Sequence, residues 1–451
     1  MVQAEQMVIC MISLGCPKNL VDSEMMIGTL KAAGFQVGTD PAEADVIVVN
    51  TCGFINSAKE EAIETILEMA EYKKERCKAL IVTGCLAQRY PKDILKELPE
   101  VDFVLGTGSY QDIAVAVKHV LEQSGCYMIR ASLGDISYLN GERVVSTPKS
   151  YAYLKIAEGC DNRCTYCIIP FLRGPYRSRE MEDVIKEAEL LVKEGYKELI
   201  LVAQDTTRYG TDLCGKPMLA QLLKEICAIP GEFRVRILYS YPDEITDELI
   251  EVMANTPKIC HYMDIPVQHG SDAILTAMNR RSLSGQIKER IASLRKQIPD
   301  LYVRTSLIVG FPGETPEDYA ILKQFVKEVK FDRLGVFEYS KEEGTKAAKM
   351  PGQVLKSLKQ SRRNGIMKIQ QKISKEMNEN RLGKVYTVIV EGVSDDGIFY
   401  YGRTFAEAPD IDGLVYFTAQ DALQLGDWVQ VKILNVEEYD LIGEQLDELT
   451  E

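Results

Sequence analysis

"YAYLKIAEGCDNRCTYCIIP", Tyr151–Pro170, decides how the chain is read. An apolar, β-rich run ends at Gly159, and a polar loop then carries Cys160, Cys164 and Cys167 at C-x3-C-x2-C spacing. That run is the first of six: "ELILVAQ", "FRVRILY", "HYMDIPV", "YVRTSLIVG" and "RLGVFEY" follow it. Between them, helices are predicted near Glu180–Lys193, Met218–Ile229, Asp247–Asn255, Gln286–Ile298 and Pro316–Val329. Apolar strands separated by helices form parallel sheets covered on both faces. Six such units are two short of a closed eight-fold barrel, so the pattern predicts a partial, open (β/α)6 barrel. Barrel chemistry sits at the C-terminal ends of the strands, and the cysteine loop lies at that end of the first one.

The same alternation occurs upstream on a smaller scale. "MVICMISL", "ADVIVVNT", "KALIVTG" and "VDFVLG" are separated by helices predicted near Val21–Ala33, Ala58–Lys74 and Lys92–Leu98, with another from about Asp112. Residues 1–123 are therefore expected to form a small α/β domain with a parallel sheet. Residues 124–150 lose the rhythm and read as a linker. The central domain spans 151–380 and ends in a polar, Lys-rich helix near Leu355–Met377. From 381 to 451 the texture changes to short strands with turns: "KVYTVIVEG", "GIFYYGR", "GLVYFT", "DWVQVKILNV" and "YDLIGE". Val429, Val431 and Ile433 alternate with Gln430 and Lys432, as burial of one face requires, and a small antiparallel β-barrel is expected. The fold class is α/β throughout the first two domains.

At 451 residues, three domains is the ordinary expectation. The start, "MVQAEQMVICMISLG", has no basic segment ahead of its apolar residues, and no run approaches the roughly 18 apolar residues that span a bilayer. A soluble, cytoplasmic protein with no membrane partner is expected. In that compartment twelve cysteines read as thiols, metal ligands or catalytic groups rather than disulfides. Only His119, His261 and His269 are present, which leaves cysteine to do any ligating.

Three thiolates on one loop can hold three irons of a [4Fe–4S] cluster and leave the fourth iron without a protein ligand. An open iron can chelate the amino and carboxylate groups of S-adenosylmethionine and pass an electron to its sulfonium. The alternative, a structural zinc site, wants four tetrahedral ligands, and no fourth Cys or His follows at a usual spacing. Tyr166, just before the last cysteine, is a candidate for packing on adenine, with an ordinary core aromatic as the alternative.

Three more cysteines share a context. Cys16 in "SLGCPKNLVDSE", Cys52 in "VVNTCGFIN" and Cys85 in "IVTGCLAQ" each lie just past an apolar run, beside a glycine. In an open parallel sheet the strand C-termini converge on one edge, where ligands bind. The trio is therefore expected to meet in space and to form a second three-thiolate [4Fe–4S] site. Cys10, Cys77, Cys126, Cys214, Cys227 and Cys260 are read as ordinary small apolar residues.

Cys16, Cys52 and Cys85, then Cys160, Cys164 and Cys167, then a C-terminal β-barrel, resemble the methylthiotransferase family of radical S-adenosylmethionine enzymes over essentially the whole chain. The resemblance implies that the loop cluster cleaves S-adenosylmethionine and that the resulting radical takes hydrogen from an unactivated carbon. The Cys16/Cys52/Cys85 cluster would supply the sulfur, and a second S-adenosylmethionine the methyl group. It also implies a flavodoxin-like or ferredoxin-like electron donor and a TRAM-like C-terminal barrel. "SLGCPKNLVDSE" is similar to the family branch that methylthiolates the β-carbon of an aspartate in ribosomal protein S-12. The alternative is a tRNA adenosine modified by the same chemistry.

Charge bears on that choice. From Asn380 to Glu451 there are four basic residues, Arg381, Lys384, Arg403 and Lys432, against fifteen Asp and Glu, a net of −11 out of the chain's −14. A tRNA-binding barrel presents Lys and Arg to phosphates, so nucleic acid is not expected as direct substrate and a basic ribosomal protein is. The aromatics of this barrel, Tyr386, Tyr400, Tyr401, Phe417 and Trp428, are expected to pack in the core, with base stacking as the alternative. Three further stretches suggest an S-adenosylmethionine pocket. "SLIVGFPGET" resembles the family's adenosine-site stretch, with Gly310 allowing close approach; it has serine for the usual first glycine and Glu314 one residue late. "VAQDTT" offers Gln204 and Asp205. "DIPVQHGSD" offers Gln268 and His269, as pocket residues or loop caps.

Overall fold

The computed structural model describes residues 7–123, 125–130 and 132–446. The outermost residues of the expected terminal domains, and Ser124 and Ala131 of the expected linker, lie outside that range. By compactness the chain divides into two units. The first is 1–146 with 157–179 and 340–345; the second is 147–156 with 180–339 and 346–451. Among the described residues no helix is long and apolar enough to cross a membrane.

The first unit is built on a six-stranded sheet in the order β2-β1-β3-β4-β5-β6, with every pairing parallel. Its strands are β1 (Val8–Ser13), β2 (Gln36–Gly38), β3 (Val46–Thr51), β4 (Ala79–Gly84), β5 (Phe103–Leu105) and β6 (Tyr127–Ile129). Central β3 and β4 are buried at every position, which is why their sequences are continuous apolar runs. One face is covered by α1 (Pro17–Ala32) and α5 (Ile113–Glu122) through Met26, Leu30, Ile113 and Val117. The other is covered by α2 (Asn56–Glu71) and α4 (Pro91–Glu97) through Ala62, Ile66 and Ile94.

Two sequence expectations need correcting in this unit. The expected linker contributes β6, a full member of the sheet, and buries Leu139. A three-residue edge strand carries too little pattern to be seen. Helix α1 begins at Pro17 rather than near Val21. Proline is preorganised for a first helical position, but Lys18, Asn19, Asp22, Ser23 and Glu24 look like a solvated stretch. All five are buried, and Asn19, Asp22, Ser23 and Glu24 have partners outside the helix. Asn19 donates to the carbonyls of Leu14 and Thr51, and Glu24 receives Arg143. The segment 157–179 adds a small antiparallel pair, β8 (Ala157–Glu158) with β9 (Arg177–Ser178), and the short helix α6 (Ile169–Arg173).

The second unit contains six consecutive parallel strands: β7 (Ala152–Lys155), β10 (Glu198–Val202), β11 (Arg234–Ile237), β12 (Ile259–Asp264), β13 (Tyr302–Val309) and β14 (Arg333–Glu338). Their order follows the chain, as successive βα units dictate. Helices α7 (Met181–Lys193), α9 (Leu219–Ala228), α10 (Asp247–Asn255), α12 (Ser284–Gln297) and α13 (Pro316–Val329) fall within two residues of the predicted ranges. The Lys-rich helix α14 spans Lys356–Glu379. Strands β15 (Val385–Val393), β16 (Tyr400–Arg403), β17 (Val415–Thr418), β18 (Trp428–Val436) and β19 (Leu441–Gln445) then close a five-stranded barrel. Four of its pairings are antiparallel, while β17 and β19 run parallel. Phe417 is fully buried and stacks on Tyr400.

The barrel seats its 403–412 segment against the N-terminal ends of the six strands. Arg403 donates to Glu198 of β10, which also receives Arg234 and Arg236 of β11. Glu407 receives Arg381 and Arg333 of β14, and the Tyr262 hydroxyl of β12 donates to Asp412 at 2.6 Å. These charges are almost wholly buried, so each must find a partner or cost several kcal/mol. Burial alone would raise the Glu407 carboxyl, but Arg381 and Arg333 outweigh it and hold it down to about 2. Because that value is below the ordinary 4.5, the stability it contributes is complete above pH 4.5 and is lost as the pH falls toward 2. Glu407→Gln should therefore cost on the order of 3 kcal/mol at pH 7. Urea denaturation should show the gap to the parent narrowing steadily below pH 4.5.

Candidate metal and cofactor site

The strand order of the first unit brings Cys16, Cys52 and Cys85 together. They follow β1, β3 and β4, which are adjacent in the sheet, parallel and nearly in step. Neighbouring strands lie about 4.8 Å apart, so residues 36 and 33 positions apart in sequence become neighbours in space. Gly15, at φ +93°, makes the first approach feasible: a Cβ there would lie 2.8 Å from the Cβ of Cys52 and 3.3 Å from its Sγ. Gly84, at φ +92°, lets the turn before Cys85 pass the backbone of Thr51.

Helix ends polarise the trio. Cys16 occupies the N-cap of α1, and Cys85 opens α3 (Cys85–Arg89), a short helix that precedes the predicted Lys92–Leu98 element. Burial pushes the Cys16 thiol up, but Lys18, Arg173 and the N–H groups of Asn19 and Lys18 leave it below the ordinary thiol value. Burial and the neighbouring Cys85 push the Cys52 thiol up to about 12. Cys85 is raised by burial, against the pull of Arg173.

The second cysteine set belongs to the same compact unit. Its loop is fixed at one end by the Cys160 N–H donating to the Gly174 carbonyl at 3.2 Å. The Cys167 N–H donates to the Cys164 carbonyl at 3.1 Å, and the Ile169 N–H donates to Cys167 Sγ at 3.4 Å. Arg163 between them takes the left-handed conformation, φ +51°, that such a tight loop demands. All three cysteines are partly exposed, as is Tyr166. Ile168, which follows the loop's last cysteine, and Leu172 of α6 pack against Cys85.

Each set offers three thiols on turns rich in N–H donors, which is the donor chemistry of an iron–sulfur cluster with one open iron. Among the described residues no three Cys, His, Asp or Glu side chains form the tight cage that one metal ion takes. Three thiols per set fit a cubane cluster whose fourth iron stays open, whereas a structural zinc site wants four protein ligands. Of the remaining cysteines, Cys10, Cys77 and Cys260 are buried and Cys227 is half-buried; Cys126 and Cys214 are exposed rather than apolar filling.

Sequence reasoning missed the charged side chains between the two sets. Arg173, buried at the end of α6, donates to Asp22 at 2.6 Å, to Glu158 at 3.1 Å and to the Asn19 side-chain oxygen. Tyr138 donates to the other oxygen of Asp22 at 2.8 Å. The only signal was the abundance of polar residues in "CPKNLVDSE", which spacing alone assigns to solvent.

In the second unit, Gln204, Asp205, Gln268 and Gly310 lie just past the C-terminal ends of β10, β12 and β13, on one edge of the sheet. Asp205 is fully buried and accepts from the Thr207 hydroxyl at 2.7 Å, which in turn accepts the Tyr241 N–H. Gln268 takes φ +78° and forms an isolated parallel bridge with Leu307, extending the β12–β13 pairing. His269 is fully buried; its Nδ1 accepts the Ser271 N–H at 2.9 Å, and burial lowers it to about 3, so it is neutral. Gly310 does permit a close approach, but what approaches is Lys359 of α14, whose Cγ a Cβ would meet at 2.3 Å. Glu314, one residue late in the motif, receives the N–H groups of Gly310 and Phe311 and the Arg362 guanidinium, and so sets the turn.

Comparison with known proteins agrees with this layout. Residues 8–106 match Uncharacterized protein family UPF0004, residues 154–326 the Radical SAM superfamily, and residues 382–446 the TRAM domain. The radical S-adenosylmethionine methyltransferase TsrM from Kitasatospora setae, solved with cobalamin and a [4Fe-4S] cluster bound, superposes with a TM-score of 0.55. At 13% identity over 73% of this chain and 74% of that one, the likeness is one of fold. Ribosomal protein uS12 methylthiotransferase RimO of Acetivibrio thermocellus is 56% identical, over 97% of this chain and 98% of its own. The protein of the same name from Lachnoclostridium phytofermentans is 54% identical, over 97% and 99%. With such identity running through all three segments, the chain belongs to the RimO family of ribosomal protein uS12 methylthiotransferases, enzymes of the radical S-adenosylmethionine superfamily.

Proposed function

We propose that this protein inserts a methylthio group at the β-carbon of an aspartate in ribosomal protein S-12, using two [4Fe–4S] clusters and S-adenosylmethionine. The observation that carries the proposal is the meeting of Cys16, Cys52 and Cys85 at one sheet edge, in the same compact unit as Cys160, Cys164 and Cys167. The reading assigns 1–123 to the auxiliary cluster, 151–380 to the radical core and 381–451 to substrate binding, with 124–150 leading from the first to the second and adding the edge strand β6. It places the protein in the cytoplasm, with a flavodoxin-like or ferredoxin-like electron donor.

Cys160, Cys164 and Cys167 would hold the cluster that, when bound, supplies reductive cleavage of S-adenosylmethionine. Cys16, Cys52 and Cys85 hold the cluster that presents sulfur. Tyr166 is assigned to adenine. Gln204, Asp205, Gln268 and the Gly310 backbone are assigned to the rest of S-adenosylmethionine. The buried Asp205–Thr207–Tyr241 relay and the Glu314-bound turn keep those strand-end loops from shifting.

The C-terminal barrel supports the choice of a basic protein over a nucleic acid. Of its four basic residues, Arg381 and Arg403 are spent on buried ion pairs, which leaves Lys384 exposed and Lys432 half-buried. Asp395, Asp396, Asp410, Asp421, Glu437 and Glu444 are exposed. Such a surface repels phosphates and attracts a cationic protein.

Two measurements test the reading. Reconstituted enzyme with S-adenosylmethionine and a reductant, kept anaerobic, should add a methylthio mass to an aspartate of S-12 and none to unmodified tRNA; the reverse result would move the substrate to tRNA. Replacing Cys16, Cys52 or Cys85 with alanine should remove about half the iron and abolish sulfur insertion, while 5′-deoxyadenosine still forms. Full iron retention in those variants would remove the auxiliary cluster from the first unit.

A further inference from the structure

From this geometry we infer that Arg173 is a positioning residue that clamps the two cysteine sites together and lends its positive charge to the Cys16/Cys52/Cys85 site. The inference rests on the two-cluster reading above and concerns a side chain that ligates neither cluster.

Its three acceptors come from both sides. Asn19 and Asp22 lie on the first turns of α1, three and six residues past Cys16. Glu158 lies two residues before Cys160. Arg173 itself ends α6, the helix that follows Cys167 and packs on Cys85 through Ile168 and Leu172. One guanidinium therefore ties the loop that opens the first site to both flanks of the loop that forms the second. Only arginine can do this, because its planar fork offers five donors in fixed directions, whereas lysine presents a point charge.

The partners also explain why the charge is there. Asp22 and Glu158 are both buried, and Tyr138 bonds to each, at 2.8 and 3.4 Å. Two buried carboxylates beside the cysteine site would make an anionic interior without a cation. Arg173 is only 3% exposed, and its guanidinium forms buried ion pairs with both Asp22 and Glu158. An iron–sulfur site surrounded by more negative charge is harder to reduce. Distance and potential are the two quantities that must be right if a radical made at one site is to be quenched by sulfur from the other.

The test uses the full chain with Arg173→Lys and Arg173→Gln. In iron-free protein, amide exchange over residues 17–24 and 158–160 should quicken in both variants, since neither side chain spans three acceptors. In reconstituted enzyme, methylthio product per 5′-deoxyadenosine should fall by about tenfold or more in both, the usual cost of a residue that orients ligands. With Cys160, Cys164 and Cys167 replaced by alanine, the remaining cluster should have a lower midpoint potential in Arg173→Gln than in Arg173→Lys, which keeps the charge.

An unchanged product ratio in Arg173→Lys, or equal potentials in the two variants, would overturn the inference. If Arg173→Gln does not fold, the Arg173→Lys ratio and exchange rates decide alone. Failure of the alanine-substituted parent to bind any iron would instead strike at the two-cluster reading, so the two failures are distinguishable.

Discussion

Parallel strand pairing is the constraint on which everything else rests. In both sheets every strand runs the same way, so each chain segment leaving a strand's C-terminal end does so at the same edge. The three cysteines of the first unit need no local motif, because β1, β3 and β4 are neighbours and deliver them to one place. The strand-end loops of the second unit obey the same rule. Parallel sheets also demand cover on both faces, which accounts for the continuous apolar runs of β3 and β4 and the helices laid over them.

Buried charge is the second organising force, and two of its networks anchor whole segments. At the N-terminal ends of the six-stranded sheet, Glu198 and Glu407 gather five arginine contacts and anchor the small barrel. Beside the cysteines, Arg173 answers Asp22 and Glu158. In each case one partner is useless without the others, because an unpaired buried charge costs several kcal/mol. The arrangement also settles the character of the C-terminal surface. By drawing Arg381 and Arg403 inward together with Glu407 and Asp412, it leaves Lys384 and Lys432 as the barrel's outer basic groups among the exposed Asp and Glu.

Some of this was legible in one dimension. The six βα units, the Lys-rich helix and the five short C-terminal strands could all be placed from apolar periodicity, since period and burial are linked for regular elements. The cysteine loop after β7 was legible because its spacing is local. Strand β6 was not, because three residues of edge strand carry no period. The true start of α1 was hidden for the opposite reason: Lys18, Asn19, Asp22, Ser23 and Glu24 are polar yet buried, and only their distant partners explain it. Gly310 was read as allowing close approach at an adenosine site, whereas the neighbour in the fold is Lys359 of a helix almost fifty residues on.

By itself, then, the sequence determined the longer elements and the order of the three segments, because those depend on local periodicity and residue chemistry. Tertiary structure decided which distant polar groups share a buried site. That Arg173 meets Asn19, Asp22 and Glu158, or that Arg403 meets Glu198, follows from strand order and helix docking. No spacing rule encodes such partners, since burial makes a charged side chain seek an opposite charge wherever the fold has brought one.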